Sequence, residues 1–164
     1  MINMNLEAYL VLLGRLDFSK FIVLHRKNYL RRIISEMVGR KVKRWHYHKT
    51  MTVPTKVNID IESVGTGNSC GPLLESFRCL DENYNLLQKV LSGDEVLYLF
   101  YEDDILKDPT KAYRQVCDFL GITCETPEVP LKKTNPFSYE EIVTNFDEIS
   151  SCLEGTEYAW MLDD

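Results

Sequence analysis

The sequence predicts an α/β fold in three layers, with parallel strands held between helices. Two short apolar runs carry that expectation, "FIVL" at 21–24 and "VLYLFY" at 96–101, both of a length and composition suited to central strands. An amphipathic helical pattern follows each run, at 28–40 and 109–120, and no hairpin signal joins strand to strand. Strand, helix, strand, helix in that order implies crossovers, and crossovers imply parallel pairing.

Residues 3–15 place Leu6, Tyr9, Leu10 and Leu13 at helical spacing and so form the first helix. The strand at 21–25 comes next, then a helix over 28–40. In that helix Tyr29, Leu30, Ile33, Ile34, Met37 and Val38 follow the i, i+4, i+8 rows as a buried stripe, leaving Asn28, Arg31, Arg32 and Ser35 on the polar side. "KVNIDIESV", 56–64, alternates like a half-buried strand, and "GTGNSCGP", 65–72, is turn chemistry that leads to Pro72 near the start of a third helix. Leu73, Phe77, Leu80, Tyr84, Leu87 and Leu91 recur along that helix until "SGDE" ends it. After the strand at 96–101, Asp108 caps a further helix with Pro109 at its first position, and Gly121 stops it.

A chain of 164 residues is about one domain's worth, and with no internal repeat or composition break it reads as a single domain, 1–164. The balance of 45% apolar to 27% charged residues excludes a disordered chain, and no apolar run is long enough to span a membrane. The opening "MINMNLEAYLVLLGRL" lacks a basic leader and a small-residue cleavage site, so no secretory signal is expected. Five cysteines, at 70, 79, 117, 124 and 152, have neither zinc-type spacing nor the even count of a disulfide framework, which fits a reduced, cytoplasmic location.

The net charge of −6 hides an asymmetry. Lys20 to Lys49 contains ten Lys or Arg against the single acid Glu36, whereas residues 51–164 carry eight Lys or Arg against twenty-two Asp or Glu. A basic segment in an acidic chain points to an anion held at one place, or to a solvated basic face. Nothing outside the segment supplies the basic stripe or stacking aromatic series of a nucleic-acid binder. The segment also starts where a parallel sheet holds its ligands, beyond the carboxyl end of a strand, where helix N-termini present N–H groups to phosphate. Arg26 offers a fork of donors, Lys27 a point charge, and Ser35 a hydroxyl on the helical face that contains Asn28.

Three stretches carry a resemblance. "FIVLHRKNYLRRIISEMV" resembles the 3′-phosphate-binding element of sulfotransferases that use 3′-phosphoadenosine 5′-phosphosulfate, a strand followed by Arg-(Lys/Arg)-Asn with Ser eight or nine residues on. "LYLFYEDDILKDPTKAYRQVCDFLGI" resembles that superfamily's Tyr-Glu-Asp-Leu segment. "PLKKTNPFSYEEIVTNFDEISSCLEGTEYAWML" is similar to the carboxyl end of its bacterial carbohydrate and lipopolysaccharide branch, with Lys-x-Asn-Pro and Asn-(Tyr/Phe)-Asp-Glu pieces. The three occur in the family's order, and the resemblance covers roughly residues 5–162.

The resemblance implies a parallel sheet like that of P-loop NTPases, with 3′-phosphoadenosine 5′-phosphosulfate as co-substrate, a carbohydrate or lipid hydroxyl as acceptor, and no metal. It implies cofactor contacts from Arg26, Lys27, Ser35 and Lys133. The eight-residue spacing common in the family runs from Lys27 to Ser35, and Arg26 is nine residues away, so which of the two binds phosphate stays open. The family's 5′-phosphosulfate loop and proposed base lie in an amino-terminal region with no counterpart here. The expectation is therefore an amino-terminally truncated fold, inactive as it stands, whose uncovered sheet edge favours self-association. The alternatives are a noncatalytic remnant or interaction module and, less favoured, a nucleotide kinase, against which the missing Gly-Lys-Ser/Thr loop argues.

Other residues have plainer readings. "VGTGNSCGP", 64–72, is glycine-rich before a helix but has no Lys or Arg, so it reads as a turn. His46 and His48 share one face of an extended segment without a third ligand nearby and read as a surface pair. His25 ends a strand and reads as packed. Glu102 and Asp103, at a strand end before a helix, read as structural acceptors of backbone N–H groups rather than an acid–base pair. Lys132 and Lys133 fit a phosphate clamp and a solvated pair equally.

Overall fold

The computed structural model describes residues 6–43, 53–66, 69–129 and 136–163. Backbone contacts divide the chain into two compact units, the first made of Met1–Lys27 and Leu80–Pro127, the second of Asn28–Cys79 and Glu128–Asp164.

The first unit holds the parallel pair. Strand β1, Lys20–His25, and strand β4, Glu95–Phe100, run side by side in parallel, with Lys20 opposite Glu95 and His25 opposite Phe100. The apolar runs at 21–24 and 96–101 were legible as strands because they are short, bounded by polar residues and rich in branched and aromatic side chains. At their amino ends the Lys20 ammonium pairs with Glu95 at 3.1 Å and donates to the Phe119 carbonyl at 2.6 Å. Helix α1, Leu6–Arg15, precedes β1, and α4, Pro109–Leu120, follows β4. The ends of α4 are as the sequence predicts. The Asp108 carboxylate accepts from the Thr110 N–H at 3.0 Å, Pro109 occupies the first turn, and Gly121 closes the helix in the left-handed region at φ 70°.

The second unit contains most of the buried apolar side chains. Helix α2, Tyr29–Val42, buries Tyr29, Leu30, Ile33, Ile34 and Val38, and helix α3, Leu73–Val90, which contributes to both units, adds Leu73 and Phe77. Tyr29 and Tyr158 both pack on Phe77, with ring centroids 5.9 and 5.2 Å away. Short helices α5, Tyr139–Ile142, and α6, Phe146–Leu153, bury Tyr139, Ile142, Ile149 and Leu153.

Three expectations need correction. Val57 and Ile59 are buried and Asn58 and Asp60 exposed, as alternation predicts, but of 56–64 only Val64 lies in a strand. Val57 makes one isolated bridge to Val143, and the backbone of Ile59 is satisfied by the Asn145 side chain, which donates to its carbonyl at 2.7 Å and accepts from its N–H at 3.0 Å. An amide side chain thus replaces the neighbouring strand. The glycine-rich segment, in which no hairpin is expected, pairs β2, Val64–Thr66, antiparallel with β3, Ser69–Gly71. Asn28 and Arg31 are not on an open polar face. They are 7% and 3% exposed, and only Arg32 of that set points fully to water.

Candidate anion-binding site

Parallel pairing fixes where the charged residues go. Because His25 and Phe100 face each other at the ends of β1 and β4, the two chains leave the sheet at the same edge, one as Arg26-Lys27 and the other as Tyr101-Glu102-Asp103. Residues Tyr101–Ile105 form a single wide helical turn, closed by the Leu106 N–H on the Tyr101 carbonyl at 2.7 Å. Asp104 folds back to accept from the Phe100 N–H at 2.7 Å, which leaves Glu102 and Asp103 free to reach the other strand.

Glu102 receives the Lys27 N–H at 3.0 Å, and its other oxygen lies 3.8 Å from Arg26 Nε. The Arg26 guanidinium rests on the Tyr101 ring, 4.5 Å from its centroid. Lys27 Nζ donates to Asp103 at 2.5 Å and sits 4.3 Å from the Phe100 ring, while Lys107 approaches the same carboxylate at 3.9 Å. The hydrogen bond from Lys27 holds the Asp103 carboxyl below its usual range. Beside the cluster the His25 ring stacks on Tyr84 at 3.8 Å, with Phe100 edge-on at 6.1 Å. Loss of water around the Tyr84 phenol, with Tyr98 nearby, pushes its pKa up.

The anions held at this strand end are the protein's own carboxylates. Glu102 accepts a backbone N–H and pairs at longer range with a guanidinium, groups that also serve phosphate oxygens. The two ion pairs differ in how readily they yield. Lys27 and Asp103 are 41% and 49% exposed, so their pair is solvent-screened and exchangeable, whereas Arg26 and Glu102, at 22% and 24%, are more enclosed.

Of the residues that the sequence singles out, Arg26 and Lys27 therefore meet at the strand end as expected; Glu102 accepts a backbone N–H as assigned, whereas Asp103 pairs with the Lys27 and Lys107 ammonium groups and the backbone acceptor beside it is Asp104. Ser35 is a half-buried residue of α2 and belongs to the second unit. Lys132, Lys133, His46 and His48 lie outside the described residues.

The α2 N-terminus does not present free donors in the way the basic segment suggests. The Asn28 side chain caps it, accepting from the Arg31 N–H at 2.8 Å. The amide of Asn28 also donates to the Tyr139 hydroxyl and the Met161 carbonyl, both at 3.1 Å. Arg31 donates to the Phe137 carbonyl at 2.7 Å and lies over the Tyr139 ring. Sequence reasoning missed this polar core because its partners lie more than a hundred residues away in the chain.

A cleft of about 180 Å³ in the second unit, lined by Glu36, Arg40, Asn58 and Asp60 among others, is smaller than the roughly 300–1,000 Å³ of ordinary small-molecule sites. Among the described residues no group of three metal-ligating side chains occurs, and no helix is long and apolar enough to cross a membrane. No family model, curated protein or solved structure matches the chain.

Proposed function

We propose that this chain is a sulfotransferase-like protein whose β1 strand end receives the 3′-phosphate of 3′-phosphoadenosine 5′-phosphosulfate. The observation that supports the reading is the parallel pairing of β1 with β4, which delivers Arg26 and Lys27 to the carboxyl edge of a sheet. In the same reading the pair belongs to a three-layer sheet of the P-loop kind, the acceptor is a carbohydrate or lipid hydroxyl, and the setting is the reducing cytoplasm. Ser35 and Lys133 enter by their sequence context alone. A bound phosphate takes over from Glu102 and Asp103 as the partner of the two cations. The transfer itself consists of in-line attack of the acceptor oxygen on sulfur as the 5′-phosphate leaves, and the protein's part is positioning and charge stabilisation.

Arg26→Ala is expected to weaken binding of 3′-phosphoadenosine 5′-phosphate by about 1.5–3 kcal/mol, roughly 10- to 150-fold. Lys27→Ala is expected to cost less, because the ammonium is exposed and already screened. Equal affinities for wild type and Arg26→Ala in calorimetry would refute the assignment.

A noncatalytic reading is favoured by one observation, the occupation of the seat by Glu102. Glu102→Gln separates the two. If the seat takes phosphate, removing the competing charge tightens nucleotide binding; if the ion pair only braces the strand ends, the variant loses stability and gains no affinity.

The uncovered apolar surface bears on self-association. Ile22 and Leu24 on one face of β1 are 42% and 58% exposed, and no strand among the described residues pairs with its outer edge. Antiparallel pairing of β1 with its copy is isologous and brings these same side chains together. Sedimentation velocity is expected to show concentration-dependent association that Leu24→Lys reduces. A wild type that stays monomeric up to about millimolar concentration would contradict this.

A further inference from the structure

The amino ends of the parallel strands carry an apolar surface that the first unit leaves open. Leu6, Leu10 and Leu13 of α1 are half-buried, but a second apolar row, Tyr9 and Leu12 followed by Leu16 in the closing turn, faces water. That turn is held in place, since Leu16 and Phe18 both donate their backbone N–H to the Leu13 carbonyl, at 3.0 and 3.1 Å. Two residues beyond Phe18, the Lys20 ammonium reaches the end of α4, where it donates to the Phe119 carbonyl at 2.6 Å and lies 5.1 Å from the Phe119 ring centroid. Leu120 and Ile122 follow at once, Ile122 fixed by its N–H on the Cys117 carbonyl at 3.0 Å. Tyr9, Leu12, Leu16, Phe18, Leu120 and Ile122 are 40–60% exposed. At about half exposure apiece, six large apolar side chains open on the order of 500 Å² of surface, as much as the largest patch on an ordinary monomer.

We propose that this amino-end surface docks a second copy of the chain across a two-fold axis. The charge at its centre selects a copy over an unrelated partner. Lys20 and Glu95 stand opposite each other in register, pair at 3.1 Å and are both exposed, so the patch holds one cation and one anion side by side. A surface with both signs is its own electrostatic complement under two-fold rotation. Lys20 of each protomer meets Glu95 of its partner, and the apolar side chains close around the two pairs. Two such patches face to face bury about 1,000 Å², the lower bound for a specific interface. The surface lies about 16 Å from Arg26 and Lys27, at the other end of β1, so docking there leaves the anion site open.

The test uses the full 164-residue chain and two charge reversals, Lys20→Glu and Glu95→Lys, in sedimentation velocity. Each variant alone sets like charges against each other in both cross-copy pairs, and its self-association is expected to be about tenfold weaker than that of wild type. Mixed one to one, the two variants regain opposite charges in both pairs, and the mixture is expected to return to within about threefold of wild type. The contact inside each protomer stays like-charged in the mixture, so a pair that only braces the sheet cannot produce this recovery. Antiparallel pairing through β1 does not produce it either, because that mode carries Lys20 toward the far end of the partner's strand and away from Glu95. Leu16→Lys, at an exposed position outside the regular elements, is expected to weaken association by a similar factor with the urea midpoint unchanged. A wild type that stays monomeric up to about millimolar concentration, or a mixture that associates no better than its separate components, would overturn the proposal. Where a charge reversal fails to fold, Leu16→Lys decides the matter, and association equal to that of wild type would refute it.

Discussion

Asn28→Ala is expected to lower the unfolding free energy by about 2–4 kcal/mol, read from the urea midpoint. Its side chain makes the N-cap bond to Arg31 and hydrogen bonds to Tyr139 and Met161, all in a site only 7% exposed. Loss of the cap alone costs about 0.5–2 kcal/mol, and losing the two further buried hydrogen bonds, to the Tyr139 hydroxyl and to a Met161 carbonyl that keeps only the Tyr139 hydroxyl as donor, adds about 1–3 kcal/mol. Asn28→Asp keeps the cap but cannot donate to the Met161 carbonyl, so it is expected to fall between the two. The result also separates roles for a residue that the sequence places on a ligand-facing side. A variant that kept full stability would show that the polar core is not what holds the start of α2.

A second large effect is expected in the assay for sulfuryl transfer. On the proposed reading, the 164-residue chain is expected to show no transfer of radiolabelled sulfate from 3′-phosphoadenosine 5′-phosphosulfate to glycan or lipid acceptors above background. The transferring group needs preorganised positive donors, and each one missing typically costs about 2.7–4 kcal/mol in the barrier. The glycine-rich segment at 64–72 carries no Lys or Arg, and its described parts form a hairpin. The cations at the strand end are engaged by Glu102 and Asp103 and are assigned to the 3′-phosphate. Such losses are not additive, yet two together bring turnover close to background. Robust turnover would overturn the expectation, and substitutions between Gly65 and Gly71 would then be the first place to look for a substitute loop.

What was legible in the sequence follows from the range of the forces involved. The parallel strands, the stripe of α2, the Asp108-Pro109 start of α4 and its Gly121 stop are all written in residues a few positions apart. Local periodicity and cap chemistry reveal them. The charge pairing of Arg26 and Lys27 with Glu102 and Asp103 needs one further step, the recognition that parallel strands deliver both pairs to one edge. What was not legible depends on distant partners. Nothing near 56–64 announces that Asn145 satisfies the backbone of Ile59 in place of a strand, and nothing near Arg31 announces the Phe137 carbonyl that accepts from its guanidinium. Helical periodicity sorts side chains by polarity and so places Asn28 and Arg31 in water. The fold instead buries them against one another's partners.

On the proposed reading, a phosphate and the Glu102 carboxylate compete for one seat, and that competition is the most direct test. Isothermal titration of 3′-phosphoadenosine 5′-phosphate into wild type, Arg26→Ala and Glu102→Gln compares the three states of the seat: contested, stripped of its cation and cleared of its carboxylate. The account predicts measurable binding by wild type, a loss of roughly 10- to 150-fold in Arg26→Ala and a gain in Glu102→Gln. Absence of binding in all three, or the same affinity in all three, would contradict it.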